Sequence, residues 1–151
     1  MNSTRYAWNI DLPAARMAIG YEGNSMENLR PVSPERDQWG ARGPGSIVTT
    51  IGDLYKWIQA LNDDVVLHAS SKEKMFTAYV GDEGYGWHVI ETSQGRLVRR
   101  GGGLPEFESS LRWYLDKDVI IIFAINNHIG FRVPVAKGIE QILFEKQATS
   151  K

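Results

Sequence analysis

The seven residues Val119–Ile125 read Val-Ile-Ile-Ile-Phe-Ala-Ile, mostly β-branched and without one polar side chain. Successive strand residues point to opposite faces, so a run that is apolar at every position has to be covered on both sides. The run is also far too short to cross a bilayer, which takes about 20 residues of helix. It therefore demands a buried strand in a layered core. Phe107–Leu115 alternates just upstream and is separated from the run by the turn Asp116-Lys-Asp118, which predicts an antiparallel neighbour.

Two further strand segments precede these. Tyr85–Glu91 alternates about Trp87 and Val89 and leads into the turn Ser93-Gln-Gly95, and Leu97–Arg100 is a shorter segment. Upstream, the spacing turns helical. Thr50-Ile-Gly-Asp53 has the form of a capping box, in which hydroxyl and carboxylate each satisfy an exposed helix-start amide. The helix it opens carries Leu54, Trp57, Ile58 and Leu61 on one face. Ser70-Ser-Lys-Glu73 reads as a second box, opening a short helix through Met75 and Phe76 that ends by Gly81–Gly84. At the other end, Arg132–Lys146 reads as an amphipathic helix with Pro134 near its start and Val135, Ile139, Ile142 and Leu143 facing the core. The fold class is α+β: an antiparallel sheet of three to four strands, preceded by helices and closed by a C-terminal helix.

The expected organisation is one domain over residues 1–151. Residues 50–80 form its helical part, 84–127 its strands and 132–146 its last helix. Residues 1–46 hold Pro13, Pro31, Pro34 and Pro44 without sustained periodicity, yet Tyr6, Trp8, Met17, Ile19, Tyr21 and Trp39 are too apolar for a disordered tail. They read as a long irregular wrap that needs a surface to lie on.

Composition excludes several classes of function. A net charge of −1 and the absence of any basic run interleaved with aromatics argue against nucleic acid and anionic membranes as partners. With no cysteine, disulfides and thiolate metal sites are impossible. His68, His88 and His128 have no metal-ligand spacing, so neither a metal nor any other cofactor is expected. The opening residues lack a signal-peptide pattern, which places the chain in the cytoplasm as written. Were it part of a longer precursor, periplasmic or secreted placement would follow.

Four stretches in order carry a resemblance. Ala15-Arg-Met-Ala-Ile-Gly-Tyr21 comes first, and Gly43-Pro-Gly-Ser-Ile-Val-Thr-Thr50 running into Ile51-Gly-Asp-Leu54 second. Gly84-Tyr-Gly-Trp87 is third. The fourth is Arg100-Gly-Gly-Gly-Leu-Pro-Glu-Phe-Glu-Ser109, followed by a hydrophobic strand ending in Asn126-Asn127. Together they resemble the serine β-lactamase-like family, which takes in class C β-lactamases, D-alanyl-D-alanine carboxypeptidases and esterases. The resemblance spans roughly residues 1–146 and implies the C-terminal half of that fold. Acyl transfer in this family needs a Ser-x-x-Lys pair, a Tyr element and a Lys/His-x-Gly strand, because serine attacks poorly without a neighbouring base. The first two elements lie N-terminal to everything matched here.

Two departures bear on activity. Arg100 stands where the family has Lys or His; it can grip a carboxylate but stays protonated and cannot act as a base. Glu106 replaces a glycine, which would strain a turn that needs positive φ. Arg100, Gly101 and Gly102 are accordingly expected to line what remains of a substrate cleft, with a carboxylate-bearing small molecule as ligand. Ser71 and Lys74 match Ser-x-x-Lys literally, but a solvated lysine and a capping role for the serines explain the segment better. The Arg99-Arg100-Gly-Gly-Gly103 run reads as a strand entering a tight glycine turn and not as a phosphate loop. The expectation is a fragment that is not catalytic alone and associates with itself. The alternatives are one half of a split hydrolase completed by an N-terminal partner, and a binding module that has lost hydrolysis.

Overall fold

A computed structural model of the chain describes residues 1–6, 16–32, 43, 45–104 and 106–148. In chain order it contains β1 (Arg5–Tyr6), β2 (Gly20–Glu22), β3 (Arg30–Val32), β4 (Ile47–Val48), α1 (Ile51–Asn62), α2 (Ala69–Met75), β5 (His88–Thr92), β6 (Gly95–Leu104), β7 (Phe107–Tyr114), β8 (Val119–Ile125) and α3 (Arg132–Ala148). The fold class is α+β. Strands β5 to β8 make one antiparallel sheet in sequence order, each joined to the next by a short turn.

Register divides the sheet's side chains between two layers. Val89, Val98, Leu111 and Trp113 point to one face, where they pack with Ile58 and Leu61 of α1 and with Phe76 after α2. Phe76 sets its ring edge-on to both Trp87 and Trp113, with centroids 5.7 and 5.6 Å apart. On the other face Leu97, Tyr114 and Ile121 pack with Ile139 and Phe144 of α3. β8 feeds both layers: Ile120 and Ile122 face α1, while Val119, Ile121 and Phe123 face α3. That two-sided demand is what its composition encodes.

The structure corrects several local expectations. Thr50 caps α1 by accepting from the Asp53 amide, but the Asp53 carboxylate does not return the bond to Thr50. It accepts instead from the Ser3 amide at 2.8 Å and the Thr4 hydroxyl at 2.9 Å, which ties β1 to the start of α1. Trp57 stands exposed, because the buried stripe of α1 runs through Asp53, Ile58 and Leu61. α2 starts after His68, and Ser70 lies within its first turn, so the second capping box does not form. Leu67 and Met75 both pack on the core, and that anchoring fixes the helix start ahead of the serines.

β5 begins at His88, later than the alternation predicts, and β6 continues through the glycines that read as a turn. Gly101, Gly102 and Gly103 pair with Ser110, Ser109 and Glu108, and the described turn falls at Glu106, with Pro105 outside the described residues. Of the face expected to be buried on α3, Ile139 packs on the sheet and the other three residues do not. The helix buries Ala136 and sets Glu140 on the sheet, while Val135, Ile142 and Leu143 face outward, Ile142 at 60% exposure. The cause is the polar surface that Ser110, Arg112 and Tyr114 of β7 present beneath it.

In the stretch read as irregular, β2 pairs with β3, and β1 pairs with β4 just beyond its end. The Tyr21 amide donates to the Asn126 carbonyl just past β8, and the Asn126 amide group donates to the Ile19 carbonyl. Gly20 rests on the β6–β7 turn so closely that a Cβ there would stand 2.5 Å from that of Glu106. This is the physical reason for glycine in the Ala-Ile-Gly-Tyr segment. Trp8, Pro13, Ala15, Pro34, Trp39 and Pro44 lie outside the described residues.

Candidate functional site

The residues singled out at the end of β6 are divided by strand alternation. Arg100 and Gly102 point to the face that carries α1 and α2, whereas Gly101 points toward α3. Arg100 is 54% exposed, and its guanidinium stands 4.0 Å from Glu83. Glu83 also meets His88 Nδ1 at 3.0 Å from the loop that precedes β5, so one carboxylate sits between the two basic groups. Beyond Arg100 the strand surface is nearly bare: a Cβ at Gly102 would meet only the Ser109 hydroxyl, at 3.1 Å.

The glycines on the opposite face have another cause. A Cβ at Gly101 would stand 2.9 Å from the Arg132 guanidinium, and one at Gly103 would stand 3.1 Å from the His128 ring. Arg132 and His128 thus lie flat against β6 where side chains would otherwise project. Both reach Glu108, which is buried: His128 Nε2 at 3.6 Å and Arg132 Nε at 3.8 Å, while the Arg132 amide donates to its other oxygen at 3.4 Å. The carboxylate also sits at the N-terminus of α3, where negative charge is favoured. Reading the sequence missed this cluster. The available signal was the polar alternation Glu108, Ser110, Arg112 along a strand whose other positions include Leu111 and Trp113.

Ser71 and Lys74 are exposed on α2, and among the described residues no hydrogen bond or ion pair joins them to each other or to Arg100. Their geometry provides no contact through which the lysine could activate the serine hydroxyl. Arg112 and Glu140 form a second charge pair at 2.6 Å, and the Tyr114 hydroxyl donates to the same carboxylate oxygen. Burial, and next the bond to Glu140, push the Tyr114 phenol up to about 12. Among the described residues no group of three or more metal-ligating side chains assembles. No helix among them is long and apolar enough to cross a membrane.

The chain is 30% identical over 164 aligned positions to penicillin-binding protein 4* of Bacillus subtilis (strain 168). That likeness covers 95% of this chain and 36% of the relative, so the chain spans about a third of the length of the curated protein it matches. No protein-family model matches the chain, and no solved structure matches it.

Proposed function

We propose that this chain is the C-terminal, substrate-side part of a penicillin-binding, β-lactamase-like serine hydrolase, without turnover of its own. The observation that carries the reading is the likeness to a penicillin-binding protein along 95% of the chain, in which Ser71 and Lys74 nevertheless stand exposed and unconnected. In this reading the exposed end of β6 holds the substrate. Arg100 grips a carboxylate through its forked donors, Gly102 leaves the strand face beside it open, and Gly101 gives its opposite face to Arg132. The nucleophile and its base come from outside these residues, on a complementary N-terminal part. Self-association belongs to the same reading, because among the described residues β8 pairs only with β7 and α3 turns Val135 and Ile142 outward.

The test is hydrolysis of a chromogenic cephalosporin and a p-nitrophenyl ester by the purified chain beside Ser71→Ala. No turnover above background is the expected result. Turnover that disappears in Ser71→Ala would make Ser71 and Lys74 a catalytic pair and overturn the proposal.

A further inference from the structure

Between the first three turns of α3 and the face of β6 and β7 lies a cleft of about 330 Å³, lined among others by Arg99, Ser110, Arg112, Arg132, Lys137 and Glu140. Four of these six are cationic in a chain whose net charge is −1. Their pairing is unequal. Arg112 is matched by Glu140, and Arg132 leans on Glu108. Arg99 is half-buried and Lys137 faces it from α3, and among the described residues neither makes an ion pair or hydrogen bond. Ser110, buried at the floor, likewise has no hydrogen bond from its hydroxyl among the described residues.

A half-buried guanidinium without a counter-charge is unfavourable, and a cleft with low-dielectric walls focuses the field of its cations on whatever enters. Two unmatched cations and a free hydroxyl on opposing walls fit a compact anion with several oxygens. We infer that this cleft binds a small oxyanion carrying two negative charges, either a phosphate group or a dicarboxylate, held between Arg99 and Lys137 with Ser110 as a neutral donor. A planar fork such as that of Arg99 suits both chemistries. Arg100 and Gly101 also border the cleft, so the site adjoins the residues of the proposed hydrolase reading and is set apart from them by Arg99 and Lys137.

Isothermal titration of the full chain with inorganic phosphate and, separately, with succinate tests the inference. Saturable one-to-one binding of either probe is expected, and the tighter one identifies the ligand class. Arg99→Gln and Lys137→Gln should each weaken it roughly tenfold, the scale of one charge-assisted contact. Arg96→Gln removes the same charge on the other face and should leave affinity unchanged; circular dichroism verifies that each variant is folded. Absence of binding up to about 10 mM, a concentration that would reveal even very weak affinity, overturns the inference. So does affinity that survives the double substitution at Arg99 and Lys137. Binding lost in Arg100→Gln but kept in Arg99→Gln would overturn it in favour of the hydrolase reading.

Discussion

At the scale of single residues, Asp53 shows how a helix-start carboxylate is diverted to long-range work. Burial pushes its carboxyl up, but the Ser3 amide, the Thr4 hydroxyl, the terminal ammonium and Lys56 outweigh that and hold it below the ordinary carboxylate range. A depressed folded-state pKa contributes stability that is present above the unfolded value near 3.8 and is lost as pH falls through the folded value. Thermal melts of the wild-type chain should therefore fall in acid more steeply than those of Asp53→Asn, which starts lower and titrates less. Parallel melting curves for the two proteins below about pH 4 would remove Asp53 from the acid response. The Thr50-x-x-Asp53 spacing was legible in the sequence as a helix start. That the carboxylate would reach residues 3 and 4 was not, because its partners lie some 50 positions away.

At the scale of elements, the seating of α3 rests on Glu140, on which Arg112 and Tyr114 converge. Replacing Glu140 with Gln leaves Arg112, which is largely buried, without its counter-charge. The expected loss is roughly 1–3 kcal/mol in urea unfolding, the scale of a buried group left unsatisfied. Tyr114 adds an alkaline arm. Because the raised phenol keeps its proton in the folded state, its contribution is full below pH 10 and fades as pH climbs toward about 12. Glu140→Gln should flatten that arm, and an unaltered alkaline profile would count against the coupling. The helix itself was readable from Arg132 to Lys146, but of the face it buries only Ile139 was. Hydrophobic spacing assumes an apolar counterpart, whereas β7 presents Ser110, Arg112 and Tyr114, and the helix answers with Ala136 and Glu140.

At the scale of the whole molecule, the uncovered surfaces set how the chain associates. Among the described residues β8 pairs along its length only with β7, and the contact of Tyr21 with Asn126 and Asn127 begins just beyond its end. A long apolar edge of this kind is a template for another strand, and the exposed Val133, Val135 and Ile142 of α3 add an apolar patch. Light scattering at micromolar concentration should accordingly report the mass of two chains or more, most simply a two-fold dimer. A purely monomeric chain would sink the proposed self-association.

What the sequence determined by itself is the set of elements and their order. Val119–Ile125 required a strand with cover on both sides, the alternation of Phe107–Leu115 required its antiparallel neighbour, and Thr50 marked the start of α1. These are local signals: side-chain periodicity and capping act within a turn or a strand. Tertiary structure decided the rest. The Gly101–Gly103 run is strand because it pairs with Glu108, Ser109 and Ser110 of β7, and its glycines leave room for Arg132 and His128 against β6. The cleft of Arg99, Ser110 and Lys137 exists only once α3 crosses the sheet. Charges distant in the chain become one site through packing, and no spacing rule along the sequence encodes their meeting.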